Sequence, residues 1–150
     1  MPIIPEEDQQ YLRDLFAERL DQDVTVNLYT QRETGLIVPG HECATCRETH
    51  QLMDELVALS DKLKLEVHDF YADADKAREQ GINEIPAVVL QGQNKGNLRF
   101  IGAPAGYEFA TLIEDLVDVS RGQTELDQAT QQMLADLKEP VHIQVFVTPT

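Results

Sequence analysis

Val24-Thr25-Val26-Asn27-Leu28-Tyr29-Thr30, then Cys43-Ala44-Thr45-Cys46, and later Ile85-Pro86, are the stretches that decide how this chain folds. The first alternates apolar and polar residues, the pattern of a strand with one face in a core. The second holds the only two cysteines of the 150 residues, two positions apart. Behind them Leu52, Met53, Leu56, Val57, Ser60 and Leu63 recur on one helical face, so a helix is expected over about residues 44–63. A thiol pair at a helix start, directly after a strand, is the minimal apparatus for exchanging a disulfide with another molecule.

Outward from this centre the elements follow in order. Leu12, Leu15, Phe16 and Leu20 make a helical stripe over residues 5–20, with Pro5, Glu6, Glu7 and Asp8 suited to its start. Residues 65–71 read as a strand and 73–80 as a short helix closed by Gly81. Residues 87–91 and 98–101 are strands joined by a Gly92-Gln93-Asn94-Lys95-Gly96 hairpin loop. Residues 106–120 form a final amphipathic helix carrying Phe109, Leu112, Ile113, Leu116 and Val117. The order αβαβαββα describes an α/β fold, a central mixed sheet covered on both faces by helices.

Beyond Arg121-Gly122 the pattern starts again. Leu126, Ala129, Met133, Leu134 and Leu137 make another stripe, and residues 141–148 mirror the first strand at an offset of 117 positions, Val24 to Val141. Such a repeat implies two similar units in tandem: residues 1–122 as the first, and residues 123–150 as the first helix and strand of a second unit that is cut off. An apolar strand at 141–147 without a unit of its own would pair with a sheet edge or self-associate.

Composition narrows the function. A net charge of −15 argues against nucleic acid or an anionic membrane as partner. The acids read first as solubilising surface and second as adaptation to salt. No apolar run approaches the roughly 18 residues of a membrane span. The N-terminal residues lack the basic and apolar regions of a signal peptide, so a cytoplasmic location is expected. There, a CxxC pair is redox-active or metal-binding rather than a structural staple. No glycine-rich phosphate loop and no Ser/His/Asp constellation stands out.

A helix N-terminus favours a thiolate, because its unpaired amides and dipole attract negative charge. Cys43, placed at about the N-cap, is the expected nucleophile, and Cys46, one turn inward, the resolving thiol. Arg47 should favour the thiolate and Glu42 disfavour it. Pro86, entering a strand, can be cis, leaving the backbone of Ile85 to pair with an extended substrate; the plainer reading is a trans proline at a strand's first residue. Two rivals stand beside redox chemistry. His41, Cys43, Cys46 and His50 read H-x-C-x2-C-x3-H, a set suited to tetrahedral zinc. A non-catalytic, partner-docking module is the other. His68 and His142 read as surface or packing residues, Tyr29, Phe70 and Tyr71 as core or rim, and Asp73 and Asp75 as helix-start acids.

Strand, CxxC, helix, strand, helix, Ile-Pro, hairpin and helix resemble the thioredoxin/glutaredoxin superfamily. Arg99-Phe100-Ile101-Gly102-Ala103-Pro104-Ala105-Gly106-Tyr107-Glu108-Phe109, continuing through Glu114-Asp115-Leu116-Val117-Asp118-Val119-Ser120, is similar to the protein disulfide oxidoreductase family, glutaredoxin-like proteins of two thioredoxin-fold units. The tail Val145-Phe146-Val147-Thr148-Pro149-Thr150 resembles the strand that leads there into the second CxxC. The resemblance implies exchange of disulfides with protein substrates through Cys43 and Cys46, with Pro86 as cis-proline. It implies no bound cofactor beyond the redox-active disulfide, and electrons from a thioredoxin reductase-like flavoprotein. Two departures are the long loop at residues 31–42 and the missing remainder of the second unit.

Overall fold

The computed structural model describes residues 1–32 and 39–148. Its elements are α1 (Glu6–Arg19), β1 (Val24–Thr30), α2 (Cys46–Val57), β2 (Leu63–Asp69), α3 (Ala74–Glu79), β3 (Ala87–Gln91), β4 (Leu98–Ile101), α4 (Tyr107–Arg121) and α5 (Gln128–Ala135). The four strands form one sheet in the order β2-β1-β3-β4. β1 runs parallel to β2 and antiparallel to β3, and β3 pairs antiparallel with β4. The parallel pair is joined through α2, as a parallel connection requires, and the β3–β4 pair is the expected hairpin.

Alternation along β1 sorts its side chains onto two faces. Val24, Val26 and Leu28 join Val88 and Leu90 of β3 in the larger core, against Leu12 and Phe16 of α1, Met53 and Leu56 of α2, and Leu112 and Leu116 of α4. Tyr29 and Val89 point the other way, into a smaller cluster with Ala77, Ile82 and Ala87. Three helices therefore cover one face, and α3 with its flanking loop covers part of the other.

The sequence-derived limits of β1, β3 and β4 hold, whereas the α2–β2 junction lies earlier than expected. α2 stops at Val57 and tightens into three-residue turns: the Leu59 and Ser60 amides donate to the carbonyls of Leu56 and Val57, and that of Leu63 to Ser60. Leu63 fits the helical period, yet it pairs with Val24 and is buried in the core as the first residue of β2. Pairing beside a central strand overrides the local helical pattern.

The end of α4 is fixed by two devices. Gly122 takes a left-handed φ of 64° as its C-cap, and a Cβ there would come within 2.6 Å of the Gln93 Cβ. Fully buried Ser120 accepts from the amides of Asp21 (2.8 Å) and Gln22 (2.9 Å) and donates to the Gln22 carbonyl (2.6 Å). One hydroxyl thus ties α4 to the turn that feeds β1. At the other end, Glu55 of α2 accepts from the Ile3 and Ile4 amides, at 2.8 and 2.9 Å, and pins the N-terminal segment.

Residues 141–148 are a correction. They form no strand, and their apolar side chains lie in solvent, Phe146 at 88% exposure. An extended segment becomes a strand only through a ladder, and neither β2 nor β4 at the sheet edges takes it up. Leu126, Met133, Leu134 and Leu137, in and around α5, are exposed as well. Among the described residues no helix is long and apolar enough to cross a membrane.

Two outcomes are expected. Ser120→Ala leaves two amides without an acceptor and should cost about 1–3 kcal/mol, read as a lower denaturant midpoint at unchanged slope. For Glu55, burial pushes the carboxyl up, but the Ile4 amide, the Gln51 side chain, the Ile3 amide and the N-terminal ammonium together hold it below its ordinary value. Its stabilising effect is therefore complete above the unfolded-state pKa and is lost as pH falls through the lower folded-state value. The wild-type denaturation midpoint should fall more steeply with acidification than that of Glu55→Gln; parallel pH profiles would refute this.

Candidate active site

Thr30, the last residue of β1, accepts the Phe70 amide through its carbonyl at 2.9 Å, joining the ends of β1 and β2. The chain returns to the same end of the sheet with His41 to Thr45, and Cys46 is the first residue of α2. Cys43 and Cys46 are joined by a disulfide with a Cα–Cα distance of 5.5 Å, within the ordinary range. The two cysteines differ in exposure: Cys43 is half-buried and Cys46 is 5% exposed. Cys46 is held further by its neighbours, since the Thr45 carbonyl accepts both the Thr49 amide (2.9 Å) and the Thr49 hydroxyl (2.8 Å).

The N-cap is Thr45, not Cys43. Closing the short ring between the cysteines leaves Ala44 and Thr45 in a bend outside the helix, so Cys43 lies two residues before the cap. The unpaired amides of the first turn therefore begin at Cys46.

A cleft of about 440 Å3 opens beside Cys46 and is lined among others by Thr30, Arg32, Arg47, His50 and Asp69. Arg47 and His50 thus share a surface with the buried sulfur, while Glu42 is exposed on the approach to Cys43. Asp69 closes β2 two residues before the sequence-derived end. Its carboxylate accepts from the amides of Ala72 (2.8 Å) and Tyr71 (3.0 Å). The Ala72 amide holds this carboxyl below its usual range, burial opposes that, and the Tyr71 amide and Arg32 add to the lowering. Asp69 is consequently an anion that shapes a loop and not a proton donor near neutrality. Burial pushes the Tyr29 hydroxyl up, as do the charges of Asp73, Glu66 and Glu79, so it stays neutral.

The histidines divide. His41 stacks on Tyr71 with ring centroids 3.8 Å apart and planes 5° from parallel, and Phe70 meets Tyr71 edge-on at 5.2 Å. His50 Nε2 lies 3.5 Å from the Asp54 carboxylate. With both sulfurs in one disulfide and the rings turned to separate partners, the four-ligand zinc set is not assembled. Among the described residues no three His, Cys, Asp or Glu side chains gather as a metal site. His68 packs as expected, stacked on Tyr29 at 4.8 Å and sharing a 2.9 Å hydrogen bond with Asn27 Oδ1. His142 is exposed. Asp73 is the N-cap residue of α3 but makes no side-chain cap bond, and Asp75 pairs with Arg78 at 3.3 Å.

The Ile85–Pro86 peptide bond is cis. Pro86 is buried, its carbonyl accepts the Gly102 amide at 2.8 Å, and Ile85 packs against the smaller core cluster. Ala87 pairs with Tyr29, so Pro86 lies one register step further, at the end of the sheet from which the cysteine loop departs. Of the loop at residues 31–42, positions 33–38 lie outside the described residues. The sequence reading missed Asp69 and the His41–Tyr71 pair. An aspartate at the end of an apolar strand, two residues before the bend it caps, was the available signal for the first; nothing local announces the second.

Known proteins resemble this chain in sequence and fold. The chain is 34% identical over 125 residues to the F component of alkyl hydroperoxide reductase from Xanthomonas campestris pv. phaseoli, covering 81% of this chain and 20% of that protein. A protein disulfide oxidoreductase from Aeropyrum pernix K1 superimposes with a TM-score of 0.73 at 28% identity, over 90% of this chain and 56% of that one. The alkylhydroperoxide reductase AhpF of Enterococcus faecalis gives a TM-score of 0.72 at 24% identity, over 89% and 60%, a likeness of fold. The chain thus spans a fifth of the Xanthomonas reductase component and just over half of the Aeropyrum oxidoreductase. The family described as thioredoxin domain matches residues 36–114, the run from the cysteine loop into α4. Fold, disulfide and match agree: this chain belongs to the thioredoxin domain family.

Proposed function

We propose that the chain is a protein disulfide oxidoreductase unit that exchanges disulfides with protein substrates through Cys43 and Cys46. The observation that carries this reading is the asymmetric disulfide itself, one cysteine half-buried before the helix and the other buried at the start of α2. In the reducing direction, the Cys43 thiolate attacks one sulfur of a substrate disulfide. A mixed disulfide forms, the substrate S–S bond breaks, and one substrate thiolate leaves. The Cys46 thiol loses its proton and attacks Cys43 Sγ, forming the Cys43–Cys46 bond and releasing the second substrate thiolate. Two electrons pass from the dithiol to the substrate, and the reverse sequence oxidises a substrate dithiol.

Position supports separate roles. The half-buried Cys43 can meet a protein substrate, while Cys46 reaches only what Cys43 has already captured. Ile85, half-buried before buried Pro86, offers its backbone to an extended substrate at the same end of the sheet. Arg47 lines the cleft at Cys46 and favours a thiolate there, and Glu42 on the exposed approach opposes it. Return of the electrons is assigned to a thioredoxin reductase-like flavoprotein, in keeping with the family resemblance, and the cytoplasm is the compartment in which a reduced pair is maintained.

Residues 123–150 are assigned to a second thioredoxin-like unit. The repeat of the β1 pattern at Val141 and the exposed apolar residues of α5 and 141–147 support that assignment. Left unpaired, the same residues would favour self-association, which sedimentation across a concentration series would detect.

Equilibration with reduced and oxidised glutathione, read by alkylation and mass, should give a reversible two-electron transition confined to Cys43 and Cys46. Absence of any transition would reject the reading. Cys46→Ser should accumulate a mixed disulfide with a substrate or with glutathione, because capture remains and resolution is lost. Cys43→Ser should accumulate far less; equal trapping by both variants would remove the assignment of roles.

A further inference from the structure

The two cysteines are anchored very differently. Cys46 belongs to α2, is buried, and sits beside the Thr45–Thr49 hydrogen bonds. Cys43 precedes the helix on a bend whose residues Glu42, Ala44 and Thr45 are exposed. In the oxidised protein the S–S bond itself restrains this bend. Once the disulfide is reduced, that restraint is gone, and what holds the Cys43 segment must be non-covalent.

The ring stack two residues upstream supplies such a hold. His41 lies flat on Tyr71 at 3.8 Å. Tyr71, though 40% exposed, is in turn held at two points, its backbone amide and its ring edge. Its amide donates to Asp69 at 3.0 Å, Phe70 meets its ring edge-on, and Phe70 is tied into the smaller core and to the Thr30 carbonyl. A continuous path therefore runs from the core through Phe70 and Tyr71 to His41, and from there to Cys43. We propose that Tyr71 and His41 are positioning residues for the exchange reaction: their stack keeps the Cys43 thiol near Cys46 in the reduced protein.

This inference rests on the oxidoreductase reading and adds a determinant of its poise. Ring closure between two thiols depends on their effective concentration at one another, which preorganisation of the chain raises. The stack is needed most where the covalent link is absent, so it limits the freedom of the reduced form more than that of the oxidised one. Losing it should make the disulfide harder to form and slow the attack of Cys46 on a mixed disulfide at Cys43. An aromatic pair of this kind corresponds to roughly a three- to tenfold change in an equilibrium constant.

The test compares wild type, Tyr71→Ala, Tyr71→Phe and His41→Ala in glutathione redox buffers. Disulfide content is read by alkylation and mass, and the release of glutathione from Cys43 is followed in time. Tyr71→Ala and His41→Ala should each lower the equilibrium constant for forming the disulfide by roughly three- to tenfold and slow release of glutathione. Tyr71→Phe, which keeps the ring, should stay within about twofold of wild type. Should Tyr71→Ala fail to fold, His41→Ala, a change on a loop, decides alone. Wild-type values in the folded ring-deleted variants would overturn the proposal, and so would an equal shift in Tyr71→Phe. A wild-type protein that forms no disulfide with glutathione would instead reject the oxidoreductase reading, and this inference with it.

Discussion

The structure depends on the pairing of β1 on both edges. β1 meets β2 in parallel on one side and β3 antiparallel on the other. Its seven residues are nearly all buried, and they belong to both cores at once, Val24, Val26 and Leu28 to one and Tyr29 to the other. A strand so placed has no freedom of register, since a slip of one residue would drive Thr25 and Asn27 into the larger core. Fixing β1 fixes the position of its last residue, Thr30. From that point the chain departs toward the cysteines, and to it β2 is bound through Phe70.

The electrostatics near the disulfide contrast with those of the whole chain. Against a net charge of −15, the cleft beside Cys46 has a balanced lining, Arg32 and Arg47 against Asp69 and Asp73, with His50 among them. The acidic group most firmly held there, Asp69, has its carboxylate occupied by backbone amides and answered by Arg32. A carboxylate committed in this way repels a neighbouring thiolate less than a free one would, because its charge is already shared with three donors.

What could be read from the sequence is what local pattern determines. The alternation in β1 and the hairpin around Gly92 to Gly96 are written in neighbouring residues, and each stands in the structure where its pattern puts it; the thiol pair does precede an apolar helix, though that helix starts at Cys46. The α2–β2 junction was misread because Leu63 satisfies two patterns, a helical stripe and a strand start, and only its partner Val24 decides between them. Ser120 and Glu55 were missed for a related reason. Their hydrogen bonds go to backbone amides 99 and 51 residues away, and no local signal marks such a partner. Residues 141–148 show the converse case: their strand pattern is clear, yet the pattern only states a preference, and a ladder partner is required to realise it.

Cys43 belongs with these partner-dependent features. From sequence it is equivalent to any thiol ahead of a helix, and the cap position was the natural place to put it. In the structure Thr45 takes the cap and Cys46 the first turn, so the helix organises the buried sulfur and leaves the reachable one outside. That division suits exchange chemistry. Under the exchange reading proposed above, a nucleophile at Cys43 that meets protein disulfides benefits from lying beyond the helix, whereas a resolving thiol at Cys46 acts at one fixed place. Cys43 lies outside the helix, so a non-covalent hold on its segment in the reduced protein, as proposed above, cannot come from the helix. On that proposal it comes from the other side of the bend, where Phe70 and Tyr71 follow directly on the end of β2. The pairing of β1 with β2 thus bears on both sulfurs: it sets the floor beneath Cys46 and carries the aromatic residues on which the segment leading to Cys43 rests.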